Sequence, residues 1–163
     1  MGRMIAYEPG GVVSDTFILT RVRRVLLATL VAGIAGTLAE LLLIGHVEGW
    51  QQKVPIVLLV AGLVVSGWHL VAGSLASARV VQLMMVAFII SGGAGVALHY
   101  QGNAAFELEM YPTMAGAELF RNTMTGATPV LAPGAMTLLG LVGLALTYRH
   151  PVRGTASPED SHD

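Results

Sequence analysis

The sequence predicts an all-α protein, a four-span transmembrane helical bundle with a long extracytoplasmic loop between spans three and four. Three observations carry the prediction. Hydrophobic residues make up 54% of the 163, charged residues only 12%, and mean hydropathy is +0.68, whereas a soluble domain is about 25% charged. Four apolar runs, residues 25–44, 54–73, 80–98 and 130–148, each approach the roughly 20 residues a helix needs to cross about 30 Å of hydrocarbon. Lysine and arginine are also distributed unequally between the connections.

Residues 1–24 form a polar cytoplasmic lead in which Pro9, Gly10 and Gly11 break regular structure and Arg21, Arg23 and Arg24 abut the first span. The apolar run from Val25 to Ile44 is interrupted by a single charge, Glu40. It is too long for the core of a cleaved signal peptide, usually about 7–15 residues, and reads as a retained span. Gly45 to Lys53 is a short polar turn, and its Trp50 suits the aromatic belt at a membrane interface.

The second run opens at Val54 with Pro55 in its first turn, where a missing N–H costs little, and carries Trp68 and His69 near its far end. After the turn Ser74–Arg79, the third run ends in a stretch nearly free of side-chain bulk, from Ser91 to Ala97. Small residues of this kind let helix backbones approach closely in lipid.

Residues 99–129 are the only long polar connection. Phe106, Glu107, Leu108, Glu109 and Met110 alternate apolar with acidic, a period of two that predicts an extended segment ending at Pro112. Beyond it, Met114, Ala117, Phe120 and Met124 recur at helical steps, predicting a short interfacial helix capped by Thr113. The fourth run starts near Pro133, and residues 149–163 read as a disordered cytoplasmic tail.

With four spans both termini share one side. That side collects Arg3, Arg21, Arg23, Arg24, Arg79, Arg149 and Arg153, against Lys53 and Arg121 on the other. Positive charge marks the cytoplasmic face, so the termini are expected inside and the long loop outside, which in a bacterial inner membrane is the periplasmic side.

Several function classes drop out. A net charge of -1 gives no reason to expect a nucleic-acid partner. Without cysteine, thiol nucleophiles, thiolate-ligated zinc and iron–sulfur clusters are all excluded. No nucleophile motif, phosphate loop or dinucleotide fingerprint is present, and the reading is of a non-enzyme whose partners are the lipid bilayer and either a larger membrane complex or further copies of itself.

The candidate site lies at the outer ends of the helices. Glu40 falls roughly 6 Å inside the outer end of the first span, and an acid in a span normally turns toward a partner, a cavity or an ion path. His46, Glu48, His99, Glu107 and Glu109 belong at or above that boundary, forming with Glu40 one candidate cation-binding cluster. His69 lies about 15 Å deeper than Glu40 and reads as a helix-packing histidine. Imidazole and carboxylate suit a divalent ion or copper, and Met110, Met114 and Met124 add soft sulfur that favours Cu(I). A b-type haem with His46 and His99 as axial ligands is a narrower version of the same idea.

Against a metal, no HExxH or Glu-x-x-His spacing is present, and the methionines also suit plain apolar packing. The other reading is a non-catalytic accessory or assembly subunit, docking through its small-residue faces and long loop. His46-Val-Glu-Gly49 and His99-Tyr-Gln-Gly102 echo each other, suggesting two similar helical hairpins arranged as a parallel repeat.

Overall fold

A computed structural model describes residues 10–148. Every regular element in them is helical: α1 (Gly10–Leu43), α2 (Trp50–Ala72), α3 (Leu75–Met110), α4 (Gly116–Met124) and α5 (Gly134–Thr147). α1 from Phe17, α2 and α3 are long and apolar enough to cross a membrane. α5, at 14 residues, rises only about 21 Å.

Three expectations are corrected. The basic run Arg21–Arg24 lies within α1, which already includes Gly10 and Gly11, rather than in an irregular lead. No Pro or Gly interrupts residues 12–24, and Arg21 sits 4.8 Å over the Phe17 ring one turn earlier. Residues 1–9 and the predicted tail from 149 lie outside the described residues.

The second correction concerns Phe106–Met110, which are helical. α3 continues from the third span through this segment, since Ala104 to Met110 are mostly good helix formers with no breaker among them. It stops at Tyr111, whose backbone at φ -134 and ψ 79 has left the helical region that the following Pro112 disfavours. The long connection is thus mostly helix, about three further turns of α3 and then α4. The third correction is smaller: α4 starts after Ala115, not at a Thr113 cap.

α3 is the central element, packed against α2, α5 and α4, while α1 lies on α2 and α5. Leu30 and Ile34 of α1, Leu59 of α2, Val81, Met85 and Phe88 of α3, and Met136, Leu139 and Leu146 of α5 form one buried cluster. Outside it, Val57, Val64, Val71, Leu83, Ile90 and Leu138 are exposed. An apolar exterior over a small core suits lipid as the solvent.

The small residues act where α3 meets α5. A Cβ on Gly92 would stand 2.8 Å from the backbone nitrogen of Thr137, and one on Gly140 would stand 2.6 Å from the carbonyl oxygen of Met85. The two helices run antiparallel in near backbone contact. Pro133 lies against Gly95, and at the other end the Gln82 amide donates to the Thr147 carbonyl at 3.4 Å. α5 with its leading turn therefore follows α3 from near His99 to Gln82, about 26 Å of helix.

The turn between α2 and α3 is a hydrogen-bonded corner. Gly73 ends α2 at φ +53 with its N–H on the His69 carbonyl, and Ser74 caps α3 by accepting from the Ser77 N–H at 3.1 Å. His69 is buried with Nδ1 2.9 Å from the Ser77 hydroxyl. That matches the packing role read from the sequence.

Candidate functional site

His46 owes its position to the way α1 ends. Gly45 takes φ +65, its N–H donates to the Leu42 carbonyl at 3.2 Å, and the His46 N–H donates to the Leu41 carbonyl at 2.9 Å. This is a Schellman ending, and it folds the chain back over the last turn of the helix. Glycine is favoured there because a side chain at positive φ would crowd its own backbone. The next helix start is secured by Gln52, whose amide oxygen accepts from the Glu48 N–H at 2.8 Å and the Gly49 N–H at 3.4 Å. His46 is held between these two anchored helix ends.

His99 comes from the other half of the chain, on α3. Its Nδ1 is 3.0 Å from the carbonyl oxygen of Pro129. A carbonyl only accepts, so Nδ1 carries a proton and Nε2 is the nitrogen left to bind a ligand. The His46 and His99 ring centres are 6.4 Å apart with planes tilted by 58°. Burial, and secondarily the neighbouring His99, hold the His46 pKa below the usual 6.5, so that ring is neutral at pH 7. One imidazole kept neutral by its surroundings and one with its tautomer set by a backbone carbonyl make a nitrogen-donor pair.

No family model, curated protein or solved structure matches this chain. What the site can do follows from its geometry.

The acids do not join the pair. Among the described residues no three His, Asp or Glu side chains converge as a metal-holding group. Glu40, Glu48 and Glu109 are exposed, and Glu107 is half-buried on a turn of α3 beyond His99. The expectation that Glu107 or Glu109 folds back over the histidines depended on an extended segment; on a continuing helix each residue from His99 to Met110 moves a further 1.5 Å or so along the axis. Of the methionines, Met110 is exposed, and Met114 accepts a 3.6 Å contact from the Asn122 amide. The His-x-x-Gly echo maps onto unlike structures, the turn after α1 at His46 and a helix interior at His99.

Sequence reasoning missed Asn103. It is buried on α3 one turn after His99, its amide nitrogen donating to the Thr123 carbonyl at 2.9 Å and the Thr128 carbonyl at 2.7 Å, while its oxygen accepts from the Thr128 N–H at 3.2 Å. These bonds tie the segment after α4 to α3 and fix the approach to Pro129. Phe120 of α4 adds a ring contact with Tyr100 at 6.3 Å. The available signal was the four-residue spacing of His99 and Asn103, which places both on one helical face.

Proposed function

We propose that the chain is a four-span membrane protein with both termini cytoplasmic, and that its extracytoplasmic end binds a metal cation through His46 and His99. One observation carries the binding reading: two imidazoles from opposite halves of the chain meet at one level, one oriented by the Pro129 carbonyl. Backbone-oriented imidazoles are the usual form of histidine metal ligands. The four-span count is supported by α5 and its leading turn, which together follow α3 over most of a bilayer's thickness, and by the seven-to-two distribution of basic residues. In a bacterial inner membrane the pair would face the periplasm.

The test is metal binding by the purified chain in mild detergent, followed by calorimetry and elemental analysis. Binding at one equivalent that is lost in both His46→Gln and His99→Gln supports the reading. Binding unchanged in both variants overturns it.

The accessory-subunit reading keeps one specific support. α3 runs about three turns past His99, leaving Phe106, Met110 and Tyr111 exposed together with Phe120 on α4. Apolar side chains beyond the span suit a docking partner or a second copy. A defined complex in native membranes that is lost in Phe106→Glu would favour this role.

A further inference from the structure

We infer that the His46–His99 pair is a two-coordinate site for a soft monovalent d10 ion, Cu(I) in its natural form. The proposal rests on the metal-binding reading above and narrows it to an ion class. Ring spacing is the first observation behind it. A metal–nitrogen bond of about 2.0 Å plus roughly 1.1 Å from nitrogen to ring centre places each centroid about 3.1 Å from a shared ion. Two imidazoles on a tetrahedral ion then have centroids about 5.1 Å apart, and two on opposite sides of a linear ion about 6.2 Å. The observed 6.4 Å is about 1.3 Å beyond the tetrahedral value and about 0.2 Å beyond the linear one, so of the two only the linear arrangement comes close.

Ligand count points the same way. Zinc in proteins takes three or four protein ligands, and the harder divalent ions take carboxylates. Among the described residues no third His, Asp or Glu completes a group around this pair. A filled d shell with a single positive charge is the case in which two nitrogen donors in line suffice, and imidazole is an accepted donor for copper. The ring protonation fits as well, since the proton on Nδ1 of His99 is committed to Pro129 and leaves Nε2 to the metal. An imidazole in that tautomer binds a monovalent ion without releasing a proton.

The experiment uses the full chain in mild detergent, stripped of metal and titrated separately with Ag(I), with Cu(I) held reduced by ascorbate, and with Zn(II) and Ni(II). Expected are one equivalent of Ag(I) or Cu(I) bound in preference to both divalent ions, and an X-ray absorption spectrum of the copper form with two nitrogen scatterers and a two-coordinate edge. His46→Gln and His99→Gln should each weaken Cu(I) binding by more than the roughly 10–100-fold typical of losing an outer-shell partner. The spectrum of the unaltered protein needs no variant, so it decides the matter even if a variant misfolds. Tighter Zn(II) or Ni(II) binding, sulfur scatterers, or a haem absorption band in the protein as isolated would overturn the two-coordinate assignment while leaving a metal site in place. No binding of any of the four ions would overturn both.

Discussion

Asn103 and Thr128 hold each other at two points, the side-chain amide donating to the Thr128 carbonyl at 2.7 Å and the Thr128 N–H returning to the amide oxygen at 3.2 Å. This reciprocal pair sits between the helix that carries His99 and the residue whose carbonyl orients it. Removing it should therefore affect both stability and the site. Asn103→Leu strands two carbonyls and one N–H, and a buried unsatisfied group costs about 1–3 kcal/mol. The expected result is a lower melting temperature in detergent together with weaker metal binding. Asn103→Asp should also be harmful, because a carboxylate cannot donate to either carbonyl. A variant with unchanged melting and binding would show that Asn103 does not support the site.

Gly45→Ala tests the placement of His46. A residue with a Cβ in the left-handed region costs about 1–2 kcal/mol, and Gly45 stands at φ +65 with open space around it. The penalty is thus conformational rather than steric. Gly45→Asn should cost less, since Asn tolerates this region. Thermal melting should rank Gly, Asn, Ala in falling order, and metal affinity should follow the same order.

At the α3–α5 contact, Gly140→Ala places a methyl 2.6 Å from the Met85 carbonyl oxygen, and backbone cannot yield as a side chain can. Overpacking of this kind costs about 1–3 kcal/mol. Gly93→Ala, on the same stretch of α3 but facing open space, should cost nothing and slightly favour the helix. Equal melting of the two variants would contradict the close approach of these helices.

His46 links stability to pH. Its pKa in the folded protein lies below the 6.5 of an exposed histidine, first because burial penalises the charged ring and second because His99 is near. The unfolded chain therefore binds more protons in this window, and stability rises with pH. The stabilisation is fully present above pH 6.5 and is lost as pH falls through the lowered value. Melting temperature measured from about pH 7.5 down to 5 should fall less steeply in His46→Gln than in the unaltered protein. His99→Gln should flatten it only in part, because burial is the larger cause. Metal affinity should decline over the same window as protons compete for the nitrogens.

Topology can be read by cysteine labelling, since the chain has no native cysteine. Cysteines placed at Ala76, in the first turn of α3, and a tag at the N terminus should be reached from the cytoplasm, and cysteines at Gln51 and Glu118 from outside. Labelling of Ala76 and Gln51 from the same side would refute the arrangement.

Hydropathy and composition alone were enough to identify helices fit to cross a membrane, because in lipid a backbone must satisfy its own hydrogen bonds, and a long apolar run leaves few alternatives to a helix. The small residues of α3 were legible for the same reason, and so was His69 as a packing residue. Local pattern failed where it was short. The alternation from Phe106 to Met110 reads as an extended segment, yet these residues continue a helix that already runs unbroken from Leu75 through Ala105. Adding one residue to such a helix costs far less than starting anew.

What only the folded chain could decide is which polar groups meet. His46 and His99 lie 6.4 Å apart between ring centres although one follows the end of α1 and the other sits deep in α3. Their meeting depends on a left-handed glycine that turns the chain at the end of α1 and on the packing of α2 against α3, neither of which leaves a periodic trace. The acids were expected at the same site because they share its depth. That depth assumed a helix stopping at the end of the span, but α3 ends about three turns later than its hydropathy implies, which carries Glu107 and Glu109 along the axis away from His99. Asn103 was invisible for a related reason: a buried amide is stabilising only beside the carbonyls it satisfies, and those come from a segment 20 to 25 residues away.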